Sequence, residues 1–130
     1  MKNLRNLIAV TIISVFAFGT TFAANDDNEI TRLREAVENA SASDWQIYAD
    51  AAERCIELET NMSEAYIWLE RAIEINPNAR NLELKGDYLA VNGAKEMAIE
   101  AYRQSILKAI SDNDGYDVSK VQKKLLNLAR

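Results

Sequence analysis

The side chains in this sequence that could do chemistry are carboxylates. Glu57 with Glu59, and Glu70 with Glu74, are carboxylate pairs, the residue type that can act as acid and base. In a chain whose charged residues make up 27% of the total, such pairs read as solvated helix faces. Asp112, Asp114 and Asp117 surround Gly115, a grouping that suits a hard cation. The spacing fails, however, because a calcium loop with Gly115 at its sharp turn would place Ile110 at the first ligand and Val121 at the last. A helix-connecting turn, with Asp117 capping the following helix, fits better. The chain holds no histidine, which removes Ser-His-Asp and Cys-His nucleophile systems, imidazole bases and histidine zinc sites. Gly19, Gly86, Gly93 and Gly115 match no phosphate-binding spacing. The residues therefore predict no enzyme, no cofactor and no metal.

Cys55 is the sole cysteine, so no internal disulfide can form and packing alone must hold the fold. With Ala51, Ala52 and Ile56 around it, Cys55 reads as a small buried apolar residue. Trp45 and Trp68 both sit in helical apolar patterns and read as core, Trp45 more firmly than Trp68.

The elements that position these residues are helices. Ile30, Leu33, Val37 and Ala40 recur at helical spacing and predict a helix over 29–40. Ser43 with Gln46 resembles a capping box opening a second helix over 44–59, and Asn61 with Glu64 repeats that chemistry before a third helix that ends ahead of Pro77. Two more helices follow at 79–91 and 94–110, separated by a tight turn at Asn92 and Gly93. After a turn at Asn113 to Gly115, Val118, Val121, Leu125 and Leu128 form the apolar stripe of a last helix over 117–129, with Lys120, Lys123 and Lys124 outside it.

At the N-terminus, Lys2 and Arg5 precede a twelve-residue apolar run, Leu7 to Phe18, and small residues then lead to Ala23. This is the pattern of a secretory signal peptide over 1–23, cut after Ala23. The run is shorter than the roughly 20 residues that span a bilayer, so no stable membrane insertion is expected after cleavage. Export to the bacterial periplasm is the compartment it predicts. The remainder, 24–130, has the length of a single domain. Its charge is uneven: from Ala24 to Glu74 the net charge is −9, and from Ile75 to Arg130 it is +2. An acidic half of this size disfavours nucleic acid and anionic membranes as partners.

Between 44 and 110 the pattern repeats. Leu82, Gly86 and Leu89 followed by Ala98 and Tyr102 are similar to the tetratricopeptide (TPR) signature, and Trp45, Ala49 and Ala52 followed by Ala65 and Leu69 resemble it again. Ala65 to Ala98 and Leu69 to Tyr102 are each 33 residues apart, while Trp45 to Leu82 is 37. Ala49, Ala65, Gly86 and Ala98 would let helix backbones approach, with Trp45, Leu69, Leu82 and Tyr102 filling the gaps. Lys85 stands where the signature has an apolar residue, which predicts rotation of that helix toward Leu84. The run from Asp44 to Ala109 is also similar to the short TPR-like tail of a family of uncharacterised exported bacterial proteins.

The resemblance implies an all-α fold: two TPR-like hairpins, at about 44–77 and 79–110, flanked by capping helices at about 29–40 and 117–129, in a short right-handed α-solenoid. It implies a shallow polar groove lined by the first helix of each hairpin, presenting Gln46, Asp50 and Arg54 from one and Arg80, Glu83 and Asp87 from the next. The occupant would be a protein or peptide partner. The alternative expectation is a structural subunit that joins an envelope assembly, or a homo-oligomer, through its end helices.

Overall fold

A computed structural model of the protein describes residues 20–130, with side chains from residue 27 onward. The expected leader over 1–23 lies outside the described residues for positions 1–19. Among the described residues there are six α-helices and no strand: α1 (Thr20–Glu38), α2 (Trp45–Glu57), α3 (Met62–Ile75), α4 (Ala79–Val91), α5 (Lys95–Asp112) and α6 (Ser119–Ala129). The fold is all-α, with each helix of the expected order present.

The chain divides into two units at the Arg32–Leu33 boundary, which falls inside α1. In the first, α1 starts nine residues ahead of the expected 29, and the Thr31 hydroxyl donates to the Asp27 carbonyl one turn back. The second unit, Leu33–Arg130, contains the remaining helices.

Within that unit α2 packs on α3, α4 on α5, and α5 on α6, with lighter contact between α3 and α4 and between α2 and α4. Short connections make successive helices antiparallel neighbours. Three of the turns use positive φ: at Glu59 and Asn61 between α2 and α3, at Gly93 (φ +75°) between α4 and α5, and at Asn113 and Gly115 (φ +79°) between α5 and α6; at the two glycines a side chain would be strained. The core is built from small residues: Ala49, Ala52, Ala65, Ala72 and Ala98 are fully buried, as are Cys55 and Leu69. Small side chains shorten the distance between helix axes, and larger ones then close the remaining gaps.

α3 and α5 present the same burial pattern 33 residues apart. Ala65 and Ala98, Trp68 and Ala101, Leu69 and Tyr102, and Ala72 and Ser105 are all buried. The Ser105 hydroxyl closes this face by donating to the Ala79 carbonyl at 2.6 Å. In α4, Leu84 is buried while Lys85 stays half-exposed and pairs with Glu70 at 3.1 Å. Trp45 and Leu82 are only half-buried, and Trp68 is the buried tryptophan. The order of the two tryptophans is thus the reverse of the expectation. Trp45 is the first residue of α2, where packing from neighbouring turns is incomplete, whereas Trp68 lies in mid-helix.

The two expected capping boxes do not form. At α2 the N-cap is Asp44, with no side-chain cap bond, because the Ser41 and Ser43 hydroxyls turn toward each other at 3.2 Å. At α3 the N-cap Asn61 takes a left-handed conformation (φ 53°) with no side-chain cap bond. Glu64 is drawn instead into a bidentate pair with Arg34 of α1, at 2.6 to 2.9 Å. A working cap occurs at α4, where the Asn78 carboxamide oxygen accepts from the Asn81 amide at 2.8 Å.

Candidate functional site

α4 carries Arg80, Glu83 and Asp87 at spacings of three and four, which puts them on one helical face. That face meets α2 at one end and the C-terminal segment at the other. Toward α2, Arg80 Nη2 donates to Asp50 Oδ1 at 2.6 Å and to Glu53 Oε2 at 2.5 Å. Burial works against the Arg80 charge, yet the hydrogen bonds to Asp50 and Glu53 outweigh it and hold the guanidinium above its usual range.

At the other end Glu83 and Asp87 form a carboxylate pair occupied by the chain's own donors. Lys124 Nζ of α6 bridges them, at 2.6 Å from Glu83 Oε1 and 2.7 Å from Asp87 Oδ2. The second oxygen of Glu83 accepts from the Tyr116 hydroxyl at 2.5 Å, and that of Asp87 from the Tyr102 hydroxyl at 2.7 Å. All four carboxylate oxygens have a donor. This satisfies the requirement that a buried carboxylate be paired, since the Glu83 side chain is only 10% exposed.

The same geometry shifts the donors. Burial first, and then the adjacent carboxylate, push both phenols up: Tyr102 beside Asp87 and Tyr116 beside Glu83. Burial opposes the Lys124 charge, but the hydrogen bonds to Asp87 and Glu83 win and raise it. The cluster therefore keeps its protons.

Of the six residues the sequence singles out, the structure brings four together: Asp50 with Arg80, and Glu83 with Asp87. Gln46 is exposed on the first turn of α2. Arg54 turns along its own helix to Glu57 at 3.1 Å. Three contributors were missed. Glu53 is one residue from a selected position, and its i, i+3 relation to Asp50 could have identified it. Lys124 was placed outside the apolar stripe of α6, but it is half-buried and reaches α4, because it lies beside Val121 and Leu125 on the inward flank. Tyr116 sits in the turn, where periodicity carries no signal.

The turn itself is built by carboxylates. Asp114 Oδ1 accepts from the Tyr116 amide at 3.0 Å, and Asp117 Oδ1 accepts from the Ser119 amide at 3.0 Å and its hydroxyl at 2.6 Å. These bonds aim Tyr116 at Glu83 and start α6. The hydrogen bonds from Ser119 hold the Asp117 carboxyl below its usual range.

Chemically the site is a strip of four carboxylates and two cations running from α2 across α4 to α6. Its surplus is negative, so it suits donors and positive charge. The chain matches no protein-family model, no curated protein and no solved structure.

Proposed function

We propose that residues 33–130 form a TPR-like binding module that holds a segment of another protein along α2 and α4, without catalysis. The observation that carries this reading is the Arg80 contact with Asp50 and Glu53. It sets the first helices of the two hairpins side by side, with their charged faces joined, while α3 and α5 carry the matching buried stripes. Stacked hairpins of this kind leave one continuous face of first helices for a ligand. Lys2, Arg5 and the apolar run after them support export, and with it a periplasmic partner.

Site-directed photo-crosslinking tests the reading. A crosslinking residue at exposed Gln46 or Asp50 is expected to give a discrete adduct, and one at Leu107 on the outer side of α5 is not. The reverse pattern would support a second reading, in which the end helices join an assembly or a second copy. That reading has its own observation: Met97, Leu107, Ile110 and Leu126, on α5 and α6, are 59 to 68% exposed. Exposed large apolar side chains on the last two helices of a helical stack suit further packing.

A further inference from the structure

The reading of α2 and α4 as a ligand face leaves α6 to be explained. Two of the residues expected to meet a partner, Glu83 and Asp87, are occupied by Lys124 and Tyr116, which are 37 to 41 and 33 residues further along the chain. α6 is a short helix of eleven residues, and its one buried side chain is Val121. Leu125 and Leu128 pack beside it only in part. A single buried valine and two partial leucines are a small hold for a helix too short to persist in isolation. Beside them, Lys124 adds two charged hydrogen bonds to α4. Segments of this kind open without global unfolding.

We propose that α6 is a displaceable latch: it fills the Glu83 and Asp87 site intramolecularly and yields to a partner's amphipathic helix of the same kind, one with a lysine between inward apolar residues. This rests on the binding reading above. The occupant is defined by what the site already holds. Val121, Lys124, Leu125 and Leu128 show the pattern: an ammonium for two carboxylates, and aliphatic side chains for the surface beside Ala98 and Tyr102. The negative surplus of the strip favours a basic newcomer. Tethering gives α6 an effective concentration in the millimolar range, so an untethered competitor binds weakly until the latch is loosened.

The test uses the full chain and a fluorescent peptide of residues 113–130 as the competing helix. Three proteins are titrated: native, a Lys124→Gln and Tyr116→Phe variant, and that variant with Glu83→Gln and Asp87→Asn added. Amide exchange over 119–129 reports release of α6, and exchange over α2 to α5 reports that the body remains folded. The released variant is expected to exchange faster in α6 and to bind the peptide at least about tenfold more tightly than native, since charged hydrogen bonds are removed from the tethered competitor. Adding the carboxamides should abolish the gain.

Unchanged α6 exchange in the released variant would overturn the latch. So would equal peptide affinity in native and released proteins that still depends on the carboxylates, an outcome that leaves the binding reading standing. An α6 that is released while the peptide fails to bind would overturn the latch and the binding reading together. A released variant that dimerises by exchanging α6 would give the site to a second copy, and the proposal of a foreign helix would fall.

Discussion

Gly86 lies directly beneath the ring of Tyr102: a Cβ at Gly86 would fall well inside van der Waals distance of two ring carbons. The same Tyr102 carries its hydroxyl to Asp87, the next residue along α4. The absence of a side chain at one position thus sets the reach of a hydroxyl to its neighbour, and one contact couples the packing of α5 on α4 to the charge network.

Gly86→Ala measures that contact. In an open helix the change would stabilise by roughly 0.5–1 kcal/mol. Here the ring must move, and overpacking is expected to win with a net loss of about 1–3 kcal/mol. Denaturant unfolding reads the sign directly. A variant as stable as native would show that Tyr102 can shift without penalty.

Asn81 is fully buried and clamps the α3–α4 connection, its carboxamide nitrogen donating to the Asn76 carbonyl at 2.8 Å and the Ala72 carbonyl at 3.2 Å. Asn81→Asp replaces that donor with an acceptor facing two carbonyls. It is expected to destabilise by more than the roughly 1–3 kcal/mol of a lost buried partner, and more than Asn81→Ala. The ranking of the two midpoints in urea is the check.

The C-terminal network predicts alkaline release. Lys124, Tyr102 and Tyr116 all have their folded values raised, so the stability they contribute is fully present below their unfolded values and is lost as pH rises through the folded ones. The groups facing Lys124 are Glu83 and Asp87, with Tyr102, Tyr116 and Arg80 beside them. Loosening should therefore begin above about pH 10. Near-UV circular dichroism of the tyrosines is the readout, and Lys124→Ala should already show part of the change at neutral pH.

Arg34 and Glu64 tie the C-terminal part of α1 to α3 through a bidentate but solvent-facing pair. The Arg34 hydrogen bond holds the Glu64 carboxyl below its usual range, so its contribution is present above the unfolded value and fades as pH falls through the folded one. A double-mutant cycle is expected to give no more than about 1 kcal/mol, reduced by salt. A larger coupling would mean the pair is less solvated than its exposure indicates.

Helix order and the burial of small residues were legible because both follow from local spacing. Ala65 and Ala98, or Ala49 and Cys55, lie where helical periodicity places a core, and all four are fully buried. Turns at Gly93 and Gly115 were legible for the same reason, as positive φ leaves few alternatives. The capping boxes were misread because a serine or an asparagine near a helix start has several local partners. Ser43 found Ser41, and Glu64 found Arg34 at a separation of 30 residues. On the site, Asp50, Arg80, Glu83 and Asp87 were singled out through the TPR resemblance, and the spacing of the last three places them on one face of α4. What spacing could not show is that Lys124 would meet Glu83 across 41 residues, since nothing local distinguishes it from Lys123.

That separation in sequence is also a separation in time. Synthesis delivers α4 to the growing chain before α6, so Glu83 and Asp87 exist for an interval as an open carboxylate pair with Lys124 still to come. If the chain also crosses a membrane N-terminus first, the interval is spent partly on the far side. On the latch proposal, a partner that meets Glu83 and Asp87 before α6 is in place faces no competitor from Lys124.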